Sequence, residues 1–204
     1  MSTQANKVYI VDDDDAVRRS LELLLKTVNI ESVGFASGDE FVDQFDAGMQ
    51  GCIVLDIRMP GMSGLDVQKT LKEHGNSMPI IFITGHGDVP MAVEAMQHGA
   101  FDFVQKPFRE QELMDRVSHA LSHSQELHEE EALRRDVRTR YETLTPRERE
   151  IMSCVVRGQA NKVIAMDRDV SQRTVEIHRA RVMEKMMARS LAELVRMSLL
   201  LEEA

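Results

Sequence analysis

The sequence predicts an α/β fold, a doubly wound parallel sheet of five strands, followed by a small all-α domain of four helices. Three observations carry this. From Val8 to Val104 short apolar runs alternate with amphipathic stretches. The runs are apolar throughout instead of alternating with polar residues, which suits strands covered on both faces. From Thr145 onward helix signals follow one another without strand-like runs between them. Charge divides the chain in the same way: Lys and Arg number 10 against 19 Asp and Glu in residues 1 to 120, but 11 against 10 in residues 141 to 204. An acidic front and a slightly basic back suit different partners.

The five candidate strands are VYIV (8 to 11), SVGF (32 to 35), CIVL (52 to 55), PIIFIT (79 to 84) and FDFV (101 to 104), of which SVGF carries the weakest signal. Between the first two, Val17, Leu21, Leu24, Leu25 and Val28 share one helical face. Ser37 with Glu40 forms a capping-box pattern, Ser63 with Asp66 an acidic version of it, and Gly99 stops a helix carrying Ala92, Val93 and Met96. Five strand-helix units of this kind usually take the order 2-1-3-4-5, the flavodoxin-like arrangement.

Residues 110 to 141 contain no Gly or Pro and keep a partial apolar stripe at Leu113, Val117, Leu121, Leu127 and Val137. Two readings stand: a last sheet-covering helix followed by a solvated linker, or one continuous helix. Thr145-Pro146-Arg147-Glu148 then combines a capping box with proline at the first helical position. Ile151, Met152 and Val155 give that helix an apolar face, and Gly158 ends it. NKVIAM (161 to 166) makes a short second helix, and the turn after it places Asp169 where a left-handed backbone is tolerated. Ser171 caps a third helix, residues 172 to 187, and Ser190 with Glu193 opens a fourth. The domain division is 1–122, a helical linker 123–140, and 141–204.

Cys52 and Cys154 stand far apart without ligand-like spacing and read as buried apolar residues. The segment MSTQANK lacks a signal-peptide core and no run approaches membrane-spanning length, so the expectation is a cytoplasmic protein.

In an open parallel sheet a ligand binds beyond the carboxyl ends of the strands where their order reverses, here between the first and third. Asp12 and Asp13 close the first strand and Asp56 closes the third. Three converging carboxylates repel and raise one another's pKa unless a cation joins them. Mg²⁺, held by a few carboxylates with waters and phosphate oxygens, is the usual choice. Thr84 ends the fourth strand and Lys106 follows the fifth, so a hydroxyl and an ammonium face the same crevice. That is equipment for stabilising a phosphoryl group on a carboxylate. Asp14 and Asp15 read as helix-capping residues, and His86 as a loop histidine.

IVDD (10 to 13), VLDIRMPGMSG (54 to 64), FITGHGD (82 to 88) and FVQKPF (103 to 108) resemble the receiver domain of two-component response regulators, particularly the FixJ branch. The resemblance implies Asp56 as phosphoacceptor, Mg²⁺ bound by Asp12, Asp13, Asp56 and the Arg58 backbone carbonyl, and Lys106 on the phosphoryl oxygens. It also implies Thr84 and Phe103 as a switch pair and a cis bond between Lys106 and Pro107. An aspartate-based phosphatase would commonly carry a second acid where this chain has Arg58.

LTPREREIM, GQANKVIA and SQRTVEIHRARVMEKM resemble the LuxR-type helix-turn-helix of NarL/FixJ regulators, whose third helix enters the major groove. Val175, Val182 and Met186 mark its buried face, and Met183 and Met187 read as packing beside them. Arg173, Thr174, Glu176, Ile177, Ala180 and Arg181 are the candidate DNA-contacting residues. The expected partners are a sensor histidine kinase, a double-stranded DNA operator and a second copy of the chain on phosphorylation, with RNA polymerase a further candidate. No enzyme activity and no membrane association are expected.

Overall fold

The structure is a computed structural model and describes residues 7–85 and 89–202. The chain forms two compact units that meet in sequence between His128 and Glu129.

The first unit is built on β1 (Lys7–Val11), β2 (Glu31–Phe35), β3 (Gly51–Asp56), β4 (Ile80–Thr84) and β5 (Asp102–Gln105). They form one sheet in the order β2-β1-β3-β4-β5, and every neighbouring pair is parallel. The helices α1 (Asp15–Thr27), α2 (Gly38–Gln44), α3 (Gly64–Glu73), α4 (Val89–Gln97) and α5 (Glu110–Glu142) connect and cover the strands. Strand pleating sends successive side chains to opposite faces. Val8, Ile10, Cys52, Val54, Ile81 and Ile83 therefore pack with Leu21 and Leu25 of α1 and Leu113 and Val117 of α5. Tyr9, Val11, Ile53, Leu55, Ile80 and Phe82 pack with Phe41, Val67, Leu71 and Ala95 from α2, α3 and α4. SVGF is weak in sequence because β2 lies at the sheet edge, where Val33 stays exposed.

The capping signals have structural counterparts. Asp14 is the N-cap of α1, its carboxylate accepting from the amides of Ala16 and Val17, while Asp15 pairs with Arg18 and Arg19. Ser63 and Asp66 form a reciprocal capping box at α3. At Gly64 an added Cβ would meet the Asp56 carbonyl oxygen at 2.3 Å, so glycine lets α3 begin against the end of β3.

Of the two readings for residues 110 to 141, the structure has the continuous helix: α5 is unbroken over 33 residues. Ion pairs one turn apart, including Glu130 with Arg134 and Asp136 with Arg140, support the stretch where the apolar stripe fades. Within the first unit, the buried Ser124 hydroxyl accepts from the Gly51 amide and His128 hydrogen-bonds Gln50 at 2.8 Å.

The second unit contains the end of α5 with α6 (Pro146–Val156), α7 (Asn161–Asp167), α8 (Gln172–Lys185) and α9 (Leu191–Glu202). Its core gathers Val137, Leu144, Ile151, Met152, Val155, Ile164, Val175, Val182, Met186 and Leu194. Thr145 and Glu148 form the expected capping box with Pro146 in the first turn of α6. Asp169 is left-handed with φ 51°. Cys52 and Cys154 are both buried and free. One packing expectation is corrected: Met183 and Met186 pack inward, but α8 ends at Lys185 and Met187 takes a left-handed φ of 54°, turning its side chain out to 64% exposure.

Candidate functional site

Sheet register assembles the acidic site. Val11 pairs with Leu55, so the next residues on the two strands, Asp12 and Asp56, lie side by side at the carboxyl ends of β1 and β3. Thr84 at the end of β4 pairs with Gln105, and the Lys106 amide donates to the Thr84 carbonyl at 2.7 Å. The Lys106–Pro107 bond is cis. The Lys106 ammonium reaches back across the strand ends, 2.9 Å from Asp12 Oδ2 and 2.7 Å from Asp56 Oδ1. Asp12 Oδ1 accepts from the Asp14 amide and Asp56 Oδ2 from the Arg58 amide, both through short loop turns. Arg18 donates to the Asp12 carbonyl at 2.6 Å, tying α1 to the same strand end.

Asp12 and Asp56 are both buried. Burial pushes the Asp56 carboxyl above its usual range and Asp12 repulsion adds to this, while Lys106 and the Arg58 amide pull the other way. Burial alone would lower the Lys106 pKa, but its hydrogen bonds to Asp56 and Asp12 and their charges leave it raised. The site thus sets two buried carboxylates against one ammonium, a formal excess of one negative charge.

The remaining predicted site residues are less gathered. Asp13 is exposed, and among the described residues no three acidic, His or Cys side chains are grouped to enclose a metal. Asp12 and Asp56 nevertheless already converge on one cation, and one or two carboxylates are what Mg²⁺ ordinarily takes from a protein, with waters and phosphate oxygens completing its shell. The donor set fits the ion. Thr84 is buried, its hydroxyl donating to the Gly85 carbonyl at 3.3 Å, whereas Phe103 points outward at 37% exposure. His86 lies outside the described residues.

In the second unit Ser171 caps α8 through the Thr174 amide, and the Thr174 hydroxyl hydrogen-bonds that of Ser171, leaving Thr174 half-buried. Arg173, Glu176, Ile177, Ala180 and Arg181 are exposed along the opposite side from Val175 and Val182. Neither Arg173 nor Arg181 has an ion-pair partner among the described residues. An open helical face with two uncompensated guanidinium groups is suited to phosphate and base edges.

Sequence reasoning missed the residues that hold this helix in place. Arg179 donates to Asn161 at the start of α7, and Lys185 reaches the buried Glu148 at 2.7 Å. The Lys185 ammonium, with the Thr145 amide, holds the Glu148 carboxyl down at about 2. The capping box drew attention to Glu148, but nothing local signals a partner 37 residues away.

Comparison with known proteins matches residues 8–118 to the response regulator receiver domain and residues 142–198 to the bacterial regulatory proteins of the luxR family. The chain belongs to the FixJ-type response regulators. It is 48% identical to the transcriptional regulatory protein FixJ of Azorhizobium caulinodans over 193 residues, 95% of this chain and 92% of that protein. It is 42% identical to the response regulator protein TodT of Pseudomonas putida, over 97% of this chain and 87% of TodT. Among solved structures, the response regulator StyR matches with a TM-score of 0.86 and 38% identity, covering 98% of this chain and all of that one. Full-length FixJ from B. japonicum matches with a TM-score of 0.61 and 40% identity over the whole of both chains. As a FixJ-type response regulator the protein is a two-component transcription factor with a LuxR-type helix-turn-helix, not an enzyme. Among the described residues no helix is long and apolar enough to cross a membrane.

Proposed function

We propose that this response regulator accepts a phosphoryl group on Asp56 from a sensor histidine kinase, and that the modification promotes dimerisation and operator binding. The observation that carries the reading is the Asp12–Lys106–Asp56 arrangement: a buried carboxylate with one oxygen held by the Arg58 amide and the other facing the Lys106 ammonium. The Asp56 carboxylate attacks phosphorus, the bond to the kinase imidazole nitrogen breaks, and an acyl phosphate results. Lys106 then exchanges its contact with Asp56 for the new phosphoryl oxygens. Asp12, Asp13, Asp56 and the Arg58 backbone carbonyl would hold Mg²⁺, which supplies neutralisation of the phosphoryl charge.

Thr84 and Phe103 form the switch pair in this reading. Phosphorylation favours an inward Phe103, and only a difference in stability between the two receiver states drives the change. The receiver spans 1–122, the helical linker 123–140 and the DNA-binding domain 141–204. Arg173, Thr174, Glu176, Ile177, Ala180 and Arg181 meet the operator. Dimerisation presents two such helices at half-sites about one helical turn (~34 Å) apart. The protein works in the cytoplasm, and RNA polymerase is a further partner at the promoter.

The test uses the intact chain with Mg²⁺ and a beryllofluoride phosphoryl mimic. Sedimentation velocity is expected to show monomer converting to dimer, with a parallel gain in operator affinity. An unchanged oligomeric state and affinity would leave the receiver as a phosphate-insensitive contact module.

A further inference from the structure

We infer that the helical unit carries a second binding site, for a small amphipathic organic anion, distinct from its DNA-reading face. A groove of about 560 Å³ runs between the end of α5, α6 and the end of α9. Neither α7 nor α8 lines it, so it does not overlap the surface that exposes Arg173 and Arg181. Its volume falls within the range of small-molecule sites, which combine an apolar lining with a few placed polar groups.

The lining has that composition. Met152, Val156, Leu200 and Leu201 supply apolar surface, and Arg135 and Arg149 supply charge. The Arg149 guanidinium is held 5.0 Å over the Tyr141 ring and donates to the Glu142 carbonyl at 3.1 Å. Its Nε is buried with no hydrogen-bond partner, and among the described residues neither Arg149 nor Arg135 has a carboxylate partner. Their neighbours differ: Arg134 pairs with Glu130, and Arg138 with Glu142. Glu142 and Glu202 also line the rim, against four arginines, so the opening keeps a cationic excess.

An uncompensated, pre-oriented guanidinium favours a carboxylate. Four apolar side chains beside it disfavour a bare phosphate or a nucleic-acid backbone, which would lose hydration against them without burying apolar surface of its own. The occupant that satisfies both parts is an organic carboxylate with an apolar tail.

The full-length protein is titrated calorimetrically with decanoate below its micellar concentration, and with decanol and decyltrimethylammonium as neutral and cationic counterparts. One saturable decanoate site is expected, weakened about tenfold by Arg149→Gln or by Arg135→Gln and by Leu201→Asn, with operator affinity unchanged in all three. Arg135→Gln keeps the test sound if loss of the Tyr141 stacking unfolds the Arg149 variant. Absence of saturable binding, equal binding of decanol, or decanoate binding indifferent to both arginine substitutions would overturn the assignment.

Discussion

Lys106 Nζ lies 2.7 Å from Asp56 Oδ1 while also holding Asp12 at 2.9 Å, so one ammonium joins two buried carboxylates at the head of the sheet. Removing one partner of such a set leaves its charges uncompensated. Lys106→Met is therefore expected to lower stability by about 3 kcal/mol in the absence of divalent ions. Millimolar Mg²⁺ should recover more stability in the variant than in the parent, because the ion replaces the missing charge. Urea denaturation with and without Mg²⁺ measures both effects, and equal Mg²⁺ responses would contradict the proposed cation site.

Phe103 is exposed on β5 while Thr84 at the end of β4 is buried. The chain contains no tryptophan, so Phe103→Trp introduces a single reporter. Beryllofluoride with Mg²⁺ is expected to shift its emission to the blue as the ring moves inward. Thr84→Ala should weaken that shift. An emission spectrum that ignores the mimic would rule out Phe103 as a switch residue.

Arg173 and Arg181 stand on the exposed face of α8 without carboxylate partners. Substituting either with alanine should cost about 1–3 kcal/mol of operator affinity while the circular dichroism spectrum stays unchanged. A phosphate-contacting arginine also lowers the salt dependence of binding when removed, whereas a base-reading one relaxes sequence preference. Gel-shift titrations across salt concentrations separate the two roles.

Glu148 provides a pH test of the helical unit. Its carboxyl is lowered from the ordinary 4.5 to about 2 by Lys185 and the Thr145 cap. A depressed folded-state pKa stabilises above the unfolded value, so this contribution is present above about pH 4.5 and is lost as pH falls toward 2. Glu148→Gln should flatten that acid limb and cost about 1–2 kcal/mol at neutral pH. Acid titrations of thermal stability compare the two proteins directly.

Much of this architecture is legible in the sequence because a parallel sheet places all carboxyl ends on one edge. Asp12, Asp56, Thr84 and Lys106 each follow or end an apolar run, and topology alone brings them to one crevice. What the sequence does not reveal is the reach of side chains. That Lys106 spans both Asp12 and Asp56 depends on its rotamer, and the Glu148–Lys185 pair joins residues far apart in the chain. The continuity of α5 is equally hidden: its outer stretch has no sustained apolar face, and its ion pairs form only once the helix exists. Met187 escapes pattern reading because its left-handed backbone breaks the period that Val175, Val182 and Met186 establish.

Whether Asp56 is the phosphoryl acceptor is decided by incubating the intact protein and its Asp56→Asn variant with Mg²⁺ and acetyl phosphate. Covalent phosphate is then located by mass spectrometry. One acid-stable, base-labile adduct is expected on Asp56 in the parent and none in the variant, while labelling that persists in Asp56→Asn would contradict the assignment of the acceptor.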